Sequence, residues 1–276
     1  SLFIVPKHLV MANGDLGDRN AVFCGAIEEK MGIKGSATCV MNYEGATGFL
    51  LGGPNKGLHC MFTMMNKARL GVGVQGLSMG EIAYQNAVAY AKDRVQGRSL
   101  SGDKPSDRVA DPIIVHPDLR RMLMTMRAFT EGGRALVLWT ALSLDLARHD
   151  PDPRARQDAE DLVSLITPVV KAYLTDMGFE VTNLGLQVHG GAGYIRETGV
   201  EQYVRDARIT QIYEGTNGIQ ALDLVGRKLP AHYGRALRQI FHPIDQFIIE
   251  TREECALQNI SGLLAKSFRR LQVATA

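Results

Sequence analysis

The sequence predicts a mainly α-helical fold in which an antiparallel four-helix bundle follows part of an antiparallel β domain. Two observations lead to this prediction. Short β-type runs separated by glycines fill residues 1–56, and long segments with helical periodicity follow Pro54. Several long helices in succession are typical of an antiparallel bundle. We therefore expect a β segment over 1–56, the bundle over 57–230 and an additional helical segment over 231–276.

The β segment is predicted from four short runs of apolar and β-branched residues. Glycines lie between the runs, as they do between the strands of antiparallel units. The runs are Leu2–Val5, Ala21–Ile27, Ala37–Tyr43 and Thr47–Leu51. Because residue 1 is Ser and a strand-like run follows it directly, we expect the chain to begin inside a domain.

The first three predicted helices are long. One face of the first helix carries Tyr84, Ala87, Val88, Ala91 and Val95. This helix is expected to end near Gly97, and residues 101–112 are expected to form a loop. The second helix is predicted over Leu119–Ala147 and the third over Arg154–Asn183, where Pro168 is expected to introduce a kink.

The fourth predicted helix is shorter. It is expected to begin after Thr216, whose hydroxyl can cap the first backbone amides, and to end at Arg227–Lys228, before Pro230. The stretch Arg235–Leu271 is again helical in composition, and a break is expected at His242–Pro243.

Charge and hydropathy argue against two classes of partner. The 31 Lys and Arg residues nearly balance the 29 Asp and Glu residues, so the net charge of +2 provides no general field for nucleic acid or an anionic membrane. The longest strongly apolar run, Ala135–Leu144, is far shorter than the roughly 20 residues that a spanning helix needs. We expect neither a nucleic-acid partner nor a membrane span.

Cysteine and histidine spacing does not match a known site. The four cysteines are widely spaced and form no CxxC pair, which favours a reducing compartment, and we expect a cytoplasmic location. The seven histidines form no HExxH motif, so we expect no metal site. Ser78 stands in a Gly-Leu-Ser-Met-Gly run, but this run lies inside a long helical segment and not at a strand-to-helix turn, which argues against a serine hydrolase.

A glycine-rich segment, Gln187–Arg196, lies at the end of the third long helix. Glycine lets the backbone approach a ligand closely, which would suit contact with a nucleotide pyrophosphate. Glycines at this place also serve as a helix C-cap and tight turn, and for the motif alone this alternative is favoured.

A second segment, Tyr203–Gln220, places Glu214 between Tyr213 and Gly215, just before a predicted helix. The carboxylate could simply favour the positive end of the helix dipole. Alternatively, an aromatic neighbour on one side and a glycine on the other leave a carboxylate that a flat substrate can approach.

The two segments combine into one longer signature. It reads His-Gly-Gly-Ala-Gly from His189, followed by Arg-Asp-Ala-Arg-Ile-Thr-Gln-Ile-Tyr-Glu-Gly-Thr-Asn from Arg205. This signature resembles the C-terminal signature of acyl-CoA dehydrogenases, and Lys30–Thr38, Asn66–Arg69 and Asp93–Arg94 follow the order of that family. The resemblance covers residues 3–228 and is strongest to the larger branch, some members of which oxidise methylthiopropionyl-CoA.

The resemblance implies an architecture and an activity. The bundle would be the family's C-terminal domain, and residues 1–56 would be a remnant of its middle β domain. The implied reaction is the oxidation of acyl-CoA to trans-2-enoyl-CoA, with FAD taking the hydride. The implied partners are an electron-transfer flavoprotein and further copies of the chain, in a homodimer or homotetramer.

The resemblance also implies roles for individual residues. Glu214 matches the base that removes the α-proton. The residues that match contacts to FAD are Arg94, Gln187, Gly190, Gly191 and Thr216. The residues expected near the acyl-CoA are Asn66, Arg69, Tyr213 and Gly215.

Two alternatives to a dehydrogenase stay open at this stage. An acyl-CoA oxidase shares the scaffold but lets oxygen reach the reduced flavin. A non-catalytic helical assembly module would have no need for a carboxylate at Glu214. For Arg69, an ordinary solvated position on a helix surface is the alternative to contact with CoA.

Overall fold

The computed structural model describes residues 1–101, 107 and 109–275. The described residues include six short strands: β1 Leu2–Ile4, β2 His8–Val10, β3 Leu16–Arg19, β4 Val22–Ile27, β5 Cys39–Tyr43 and β6 Phe49–Leu51. They also include seven α helices: α1 Gly57–Asp93, α2 Pro117–His149, α3 Pro153–His189, α4 Val200–Arg208, α5 Asn217–Asp223, α6 Arg235–Thr251 and α7 Gln258–Thr275. The predicted mainly helical fold with a preceding antiparallel β segment is confirmed. Part of the predicted loop over 101–112 lies outside the described residues.

The strands pair as antiparallel two-stranded ribbons, β1 with β6, β2 with β3, and β4 with β5. The ribbon of β2 and β3 was not predicted, because Leu16-Gly-Asp-Arg carries one large apolar residue and gives no alternating pattern. Large apolar side chains on the ribbons are exposed, among them Phe3, Phe23 and Phe49.

Helix α1 ends four residues earlier than predicted. Arg94 adopts extended backbone angles, with φ −67° and ψ 123°. The chain then forms a short bridge in which the amide of Gln96 donates to the carbonyl of Asp111 at 3.0 Å and the amide of Asp111 donates to the carbonyl of Gly97 at 2.9 Å. Val95 therefore belongs to this bridge rather than to the helix face on which its spacing had placed it.

The predicted break at His242–Pro243 is wrong, because Pro243 lies inside α6 and the helix continues to Thr251. Packing against α7 offsets the hydrogen bond that proline cannot make. The ring of Phe241 meets that of Phe268 edge-on at 5.1 Å between centroids. The hydroxyls of Thr251 and Ser261 are 2.6 Å apart and buried. Helix α3 likewise continues through Pro168, which is fully buried.

The described part of the chain divides into two compact units. Unit 1 comprises Ser1–Thr130 and Thr175–Glu214, and unit 2 comprises Glu131–Leu174 and the residues from Gly215 onward. The domain boundaries at residues 56 and 230 stay a prediction.

The core of unit 1 is built on close helix contacts at small residues. A Cβ at Gly178 of α3 would lie 2.3 Å from the carbonyl oxygen of Gly76 of α1, so the two backbones touch. A Cβ at Gly80 would lie 2.9 Å from the ring of Phe129, and Ala87 is fully buried on the same helix. Small side chains thus let α1 pack closely against α3 and the first half of α2.

One helix satisfies a simple test for membrane spans. The stretch Pro153–Tyr194 is long and apolar enough by length and composition, and 50% of its most apolar window is buried in the fold. A core helix passes the same test. The expected absence of a membrane span therefore stays a prediction.

In unit 2 a charged pair joins α3 to α6. The guanidinium of Arg235 donates from Nη2 to Oδ1 of Asp161 at 2.9 Å and from Nε to Oδ2. The side chain of Asp161 is 8% exposed, whereas that of Arg235 is 39% exposed. This paired hydrogen bonding holds the pKa of Asp161 below its ordinary value, against the opposing effect of burial.

We expect Arg235→Met to lower the melting temperature by about 2–4 °C at pH 7. The folded-state pKa of Asp161 is depressed, so its contribution to stability is present above the unfolded pKa and is lost as the pH falls through the folded pKa. The difference from wild type should therefore shrink below about pH 4. Thermal unfolding from pH 3 to pH 7 measures it. Arg238→Met is the control, because Arg238 donates to a backbone carbonyl, and the same pH dependence in that control would contradict the explanation.

Candidate active site

Glu214 follows a tight turn after α4. The amides of Ile212 and Tyr213 donate to the carbonyl of Ile209, at 2.9 and 3.1 Å. The fully buried hydroxyl of Thr210 donates to the carbonyl of Ala207 at 2.6 Å. These bonds fix the backbone from the end of α4 to the residue before Glu214.

Glu214 itself has a left-handed backbone, with φ +55°. Such a conformation is uncommon for a residue with a Cβ and costs roughly 1–2 kcal/mol. Its side chain is half-buried, so the carboxylate is neither sequestered nor freely solvated. Strain of this kind persists only where neighbouring contacts impose it, and it is concentrated at functional sites.

The helix-dipole interpretation of Glu214 finds no support in the bounds of α5. Helix α5 begins at Asn217, and its fully described first turn contains no acidic residue. Glu214 lies three positions ahead of that turn in the chain, outside the helix whose dipole it would favour.

Tyr213 points back to α1, where its hydroxyl donates to Oε1 of Gln75. Burial raises the pKa of the Tyr213 hydroxyl, and the negative charge of Glu214 raises it further, while the bond to Gln75 acts in the opposite direction. The phenol therefore stays protonated and serves as the donor. The sequence did not identify Gln75, and an isolated Gln in the run Gly-Val-Gly-Val-Gln-Gly-Leu is the signal that was available.

The predicted cap at Thr216 is corrected in part. Thr216 occupies the N-cap position of α5, and its carbonyl accepts from the amides of Ile219 and Gln220. Its hydroxyl, however, makes no capping bond within the described residues. At an exposed helix start, water can satisfy the first amides instead.

In unit 2 the start of α5 is attached to α3 by a buried lysine that the sequence analysis missed. Lys171 is fully buried, and its Nζ donates to Oδ1 of Asn217 at 2.7 Å. Asn217 in turn donates to the carbonyl of Ala172 at 3.3 Å. A lysine inside the apolar run Pro-Val-Val-Lys-Ala-Tyr-Leu was the available signal, since a charge is rarely buried without a partner.

The two residues expected near CoA lie one helical turn apart on α1, but in different environments. Asn66 is exposed. Arg69 is buried, with 5% of its surface accessible, and its guanidinium carbon lies 5.8 Å from the centre of the Phe62 ring. Arg69 is therefore not an ordinary solvated surface residue, and the contacts of both residues with CoA stay predictions.

The structure brings the predicted nucleotide contacts of unit 1 to one place, where α1 and α3 end. The rings of Tyr90 and His189 stack at 4.4 Å between centroids. This contact joins the turn before Arg94 to the turn before Gly190. Gln187 lines a cavity of about 380 Å3 next to the same helix end.

The geometry of the glycines at this helix end is compatible both with a helix C-cap and with contact to a nucleotide. Gly190 has φ +58° directly after α3, as expected of a helix C-cap. A Cβ at Gly190 or Gly191 would meet no atom of the described residues within 4 Å, so the space beside them is open. The capping role does not exclude contact with a ligand.

These nucleotide contacts do not lie beside the turn of Glu214. Gln75, which holds Tyr213, and Arg94 are both on or next to α1, and 19 residues separate them, which corresponds to roughly 28 Å along the helix axis. Gly215 and Thr216, which follow Glu214 in the chain, belong to unit 2. Within the described ranges, no group of three His, Cys, Asp or Glu side chains could hold a metal ion.

The Arg-Asp pair of the signature proves to hold a turn of the β segment. Asp206 accepts from the amide of Ile33 at 2.6 Å, and Arg205 donates to the carbonyl of Met31 at 2.9 Å. A Cβ at Gly32 would lie 2.6 Å from the carbonyl oxygen of Arg205, so the contact requires glycine there. This contact joins the Lys30–Thr38 segment to the signature in the fold.

Comparison with known proteins gives one family. Its description is "Acyl-CoA dehydrogenase, C-terminal domain", and it matches residues 55–229. A 3-methylmercaptopropionyl-CoA dehydrogenase of Ruegeria pomeroyi is 51% identical over 239 residues, which are 87% of this chain and 40% of that protein. A broad-specificity linear acyl-CoA dehydrogenase of Mycobacterium tuberculosis is 38% identical, over 99% of this chain and 46% of that protein. The chain thus spans less than half the length of these relatives.

Solved structures agree in fold. ACDH-11 of Caenorhabditis elegans, in complex with C11-CoA, matches with a TM-score of 0.79 at 22% identity, over 96% of this chain and 45% of that one. Butyryl-CoA dehydrogenase of Megasphaera elsdenii matches with a TM-score of 0.61 at 29% identity, over 76% of this chain and 49% of that one.

Proposed function

Because this chain belongs to the acyl-CoA dehydrogenase family, we propose that its activity is the FAD-dependent oxidation of an acyl-CoA thioester to trans-2-enoyl-CoA. The observation that supports this proposal most is the half-buried carboxylate of Glu214 on a strained turn that neighbouring contacts hold in place. Glu214 is the proposed base for the α-proton. A base held in one position removes a proton faster than a mobile one, because less orientation has to be achieved during the reaction.

The residues of unit 1 fit one part of FAD. When bound, FAD would supply the acceptor for the hydride that leaves the β-carbon. The exposed guanidinium of Arg94 suits a pyrophosphate, and the open space beside Gly190 and Gly191 allows the backbone to approach one. The cavity of about 380 Å3 that Gln187 lines is within the range of roughly 300–1,000 Å3 typical of small-molecule sites. Thr216 is proposed as a further contact.

The distance along α1 between Arg94 and the residues expected near the acyl-CoA supports an active site that two subunits share. Arg94 lies at the opposite end of the helix from the residues expected near the acyl-CoA. We propose that the nucleotide contacts serve the flavin of a neighbouring subunit in a homodimer or homotetramer. Asn66 and Arg69 would hold the CoA, and Tyr213 and Gly215 would line the thioester pocket.

Electron-transfer flavoprotein is the proposed acceptor, and the cytoplasm is the proposed location.

Anaerobic titration of the flavin-loaded enzyme with acyl-CoA thioesters of different chain lengths tests the proposal. We expect at least one thioester to bleach the visible absorbance of the flavin. In air, reduction of an artificial electron acceptor without stoichiometric peroxide would identify a dehydrogenase, and stoichiometric peroxide would identify an oxidase. If no thioester bleaches the flavin, the proposed function is wrong.

A further inference from the structure

We propose that Gln75 is a positioning residue for Glu214 and that it acts through Tyr213. This inference rests on the proposed function of Glu214 as the base. It concerns a side chain of α1 that the family signature does not include, since Gln75 lies more than a hundred residues before that signature.

The turn at Glu214 requires an external constraint. A left-handed backbone at a non-glycine residue relaxes unless its neighbours hold it. On the N-terminal side the backbone bonds to Ile209 reach Tyr213 and stop there. The side chain of Tyr213 makes the next bond along the chain that holds this turn, and that bond is to α1.

Gln75 supplies that fixed point. The phenol of Tyr213 is half-buried and protonated, so it needs an acceptor, and Oε1 of Gln75 provides one. Gln75 is itself half-buried in the middle of the 37-residue helix α1, far from either frayed end. The bond thus connects the turn of Glu214 to the middle of the long helix α1.

The contact between Gly76 and Gly178 fixes the position of Gln75 relative to α3. Gly76 follows Gln75 directly, and its carbonyl oxygen is in contact with the backbone of α3 at Gly178. Since two backbones touch there, no flexible side chain can absorb a shift of one helix against the other. The height of Gln75 relative to α3 is therefore fixed.

Helix α3 holds the same turn from the other side. Gln211 donates to Oδ1 of Asp176 at 2.8 Å, two residues before Gly178. Arg208 donates to Gln211 at 3.1 Å, and its guanidinium carbon lies 6.0 Å from the centre of the Phe179 ring. The turn is thus attached to α1 through Tyr213 and to α3 through Gln211, and the two attachment points lie beside one helix contact.

A positioning role predicts a specific kinetic change. Without an acceptor at position 75, Tyr213 loses its hydrogen bond and the Glu214 carboxylate samples a wider range of positions. Proton removal should slow, whereas the affinity for acyl-CoA should change little, because Gln75 is not expected to touch the substrate. A displacement of about 1 Å can lower a rate by about a hundredfold.

The experiment measures flavin reduction by acyl-CoA in the flavin-loaded enzyme by stopped flow. Gln75→Met has similar length and helix propensity but only a weak acceptor. We expect Gln75→Met and Tyr213→Phe each to slow reduction by about tenfold to a hundredfold. For Gln75→Met we expect the Kd of acyl-CoA, read from the concentration dependence of the reduction rate, to stay nearly unchanged. We expect the double variant to be no slower than the slower single variant, because both changes remove the same bond. Gln85→Leu, which removes an exposed glutamine of the same helix, should react like wild type.

A wild-type rate in Gln75→Met, or losses that multiply in the double variant, would overturn the inference. Gln75→Glu keeps an oxygen acceptor and should restore most of the rate. If Gln75→Met loses its flavin, Gln75→Glu becomes the test variant. A reduction rate in Gln75→Glu as slow as that in Tyr213→Phe would then count against the proposal. If acyl-CoA bleaches the flavin of the wild-type enzyme, any of these results overturns only the role of Gln75 and leaves the proposed function standing. If wild type does not bleach with any thioester, the proposed function fails and this inference fails with it.

Discussion

Glu214→Gln is expected to keep the flavin bound and to slow its bleaching by acyl-CoA by about a hundredfold to ten-thousandfold, which is the usual contribution of a general base. Gln has nearly the same shape as Glu, so the left-handed turn and the bond from Tyr213 to Gln75 should persist. The amide cannot accept the α-proton. Stopped-flow reduction under anaerobic conditions, with flavin content determined separately, measures the effect.

The matched control is Glu180→Gln, which changes an exposed carboxylate on α3. This variant should bleach at the wild-type rate. Normal bleaching in Glu214→Gln would exclude Glu214 as the base.

Gly178→Ala is expected to cost about 3 kcal/mol of stability. The new methyl group would lie 2.3 Å from the carbonyl oxygen of Gly76, so α1 and α3 must move apart along their contact. Because the turn of Glu214 is attached to both helices, flavin bleaching should slow as well. Urea unfolding at constant flavin saturation measures the loss of stability, and single-turnover bleaching measures the change in the rate of flavin reduction.

Gly71→Ala provides the control inside α1. A Cβ there would meet no atom of the described residues within 4 Å, and alanine favours a helix over glycine by about 0.8–1 kcal/mol. The control should therefore be slightly more stable than wild type. Equal stability of the two variants would show that the backbone contact at Gly76 does not constrain the helices.

The long helices were predictable because their apolar periodicity extends over many turns. The ends of the helices were less predictable. Val95 continues the apolar pattern of α1, but it pairs with Pro112 in a bridge and lies outside the helix. Pro243 was taken for a helix break because local sequence carries no sign of the packing between Phe241 and Phe268. Helix α4 was missed since its nine residues are mostly polar and lie within a motif.

For the site, the sequence predicted which residues to consider but not what holds them. The strained φ of Glu214 has no signature in the chain. Gly215 next to it also has a positive φ, +88°, but a glycine does not indicate that the residue before it shares this conformation. Gln75 and Lys171 were missed because each lies in a helix and meets its partner, Tyr213 or Asn217, from a distant part of the sequence. Such pairs depend on tertiary structure, which spacing does not encode.

The left-handed backbone at residue 214 lowers the stability of the fold, whereas the proposed role of Glu214 as the base favours keeping a glutamate there. Glycine or asparagine would adopt φ +55° with less strain than glutamate does. If the proposed role of Glu214 is right, a gene copy released from the need for a base would therefore gain stability by replacing Glu214. Among descendants of this chain, Gly or Asn at this position would then mark relief of the strain together with loss of the proposed base.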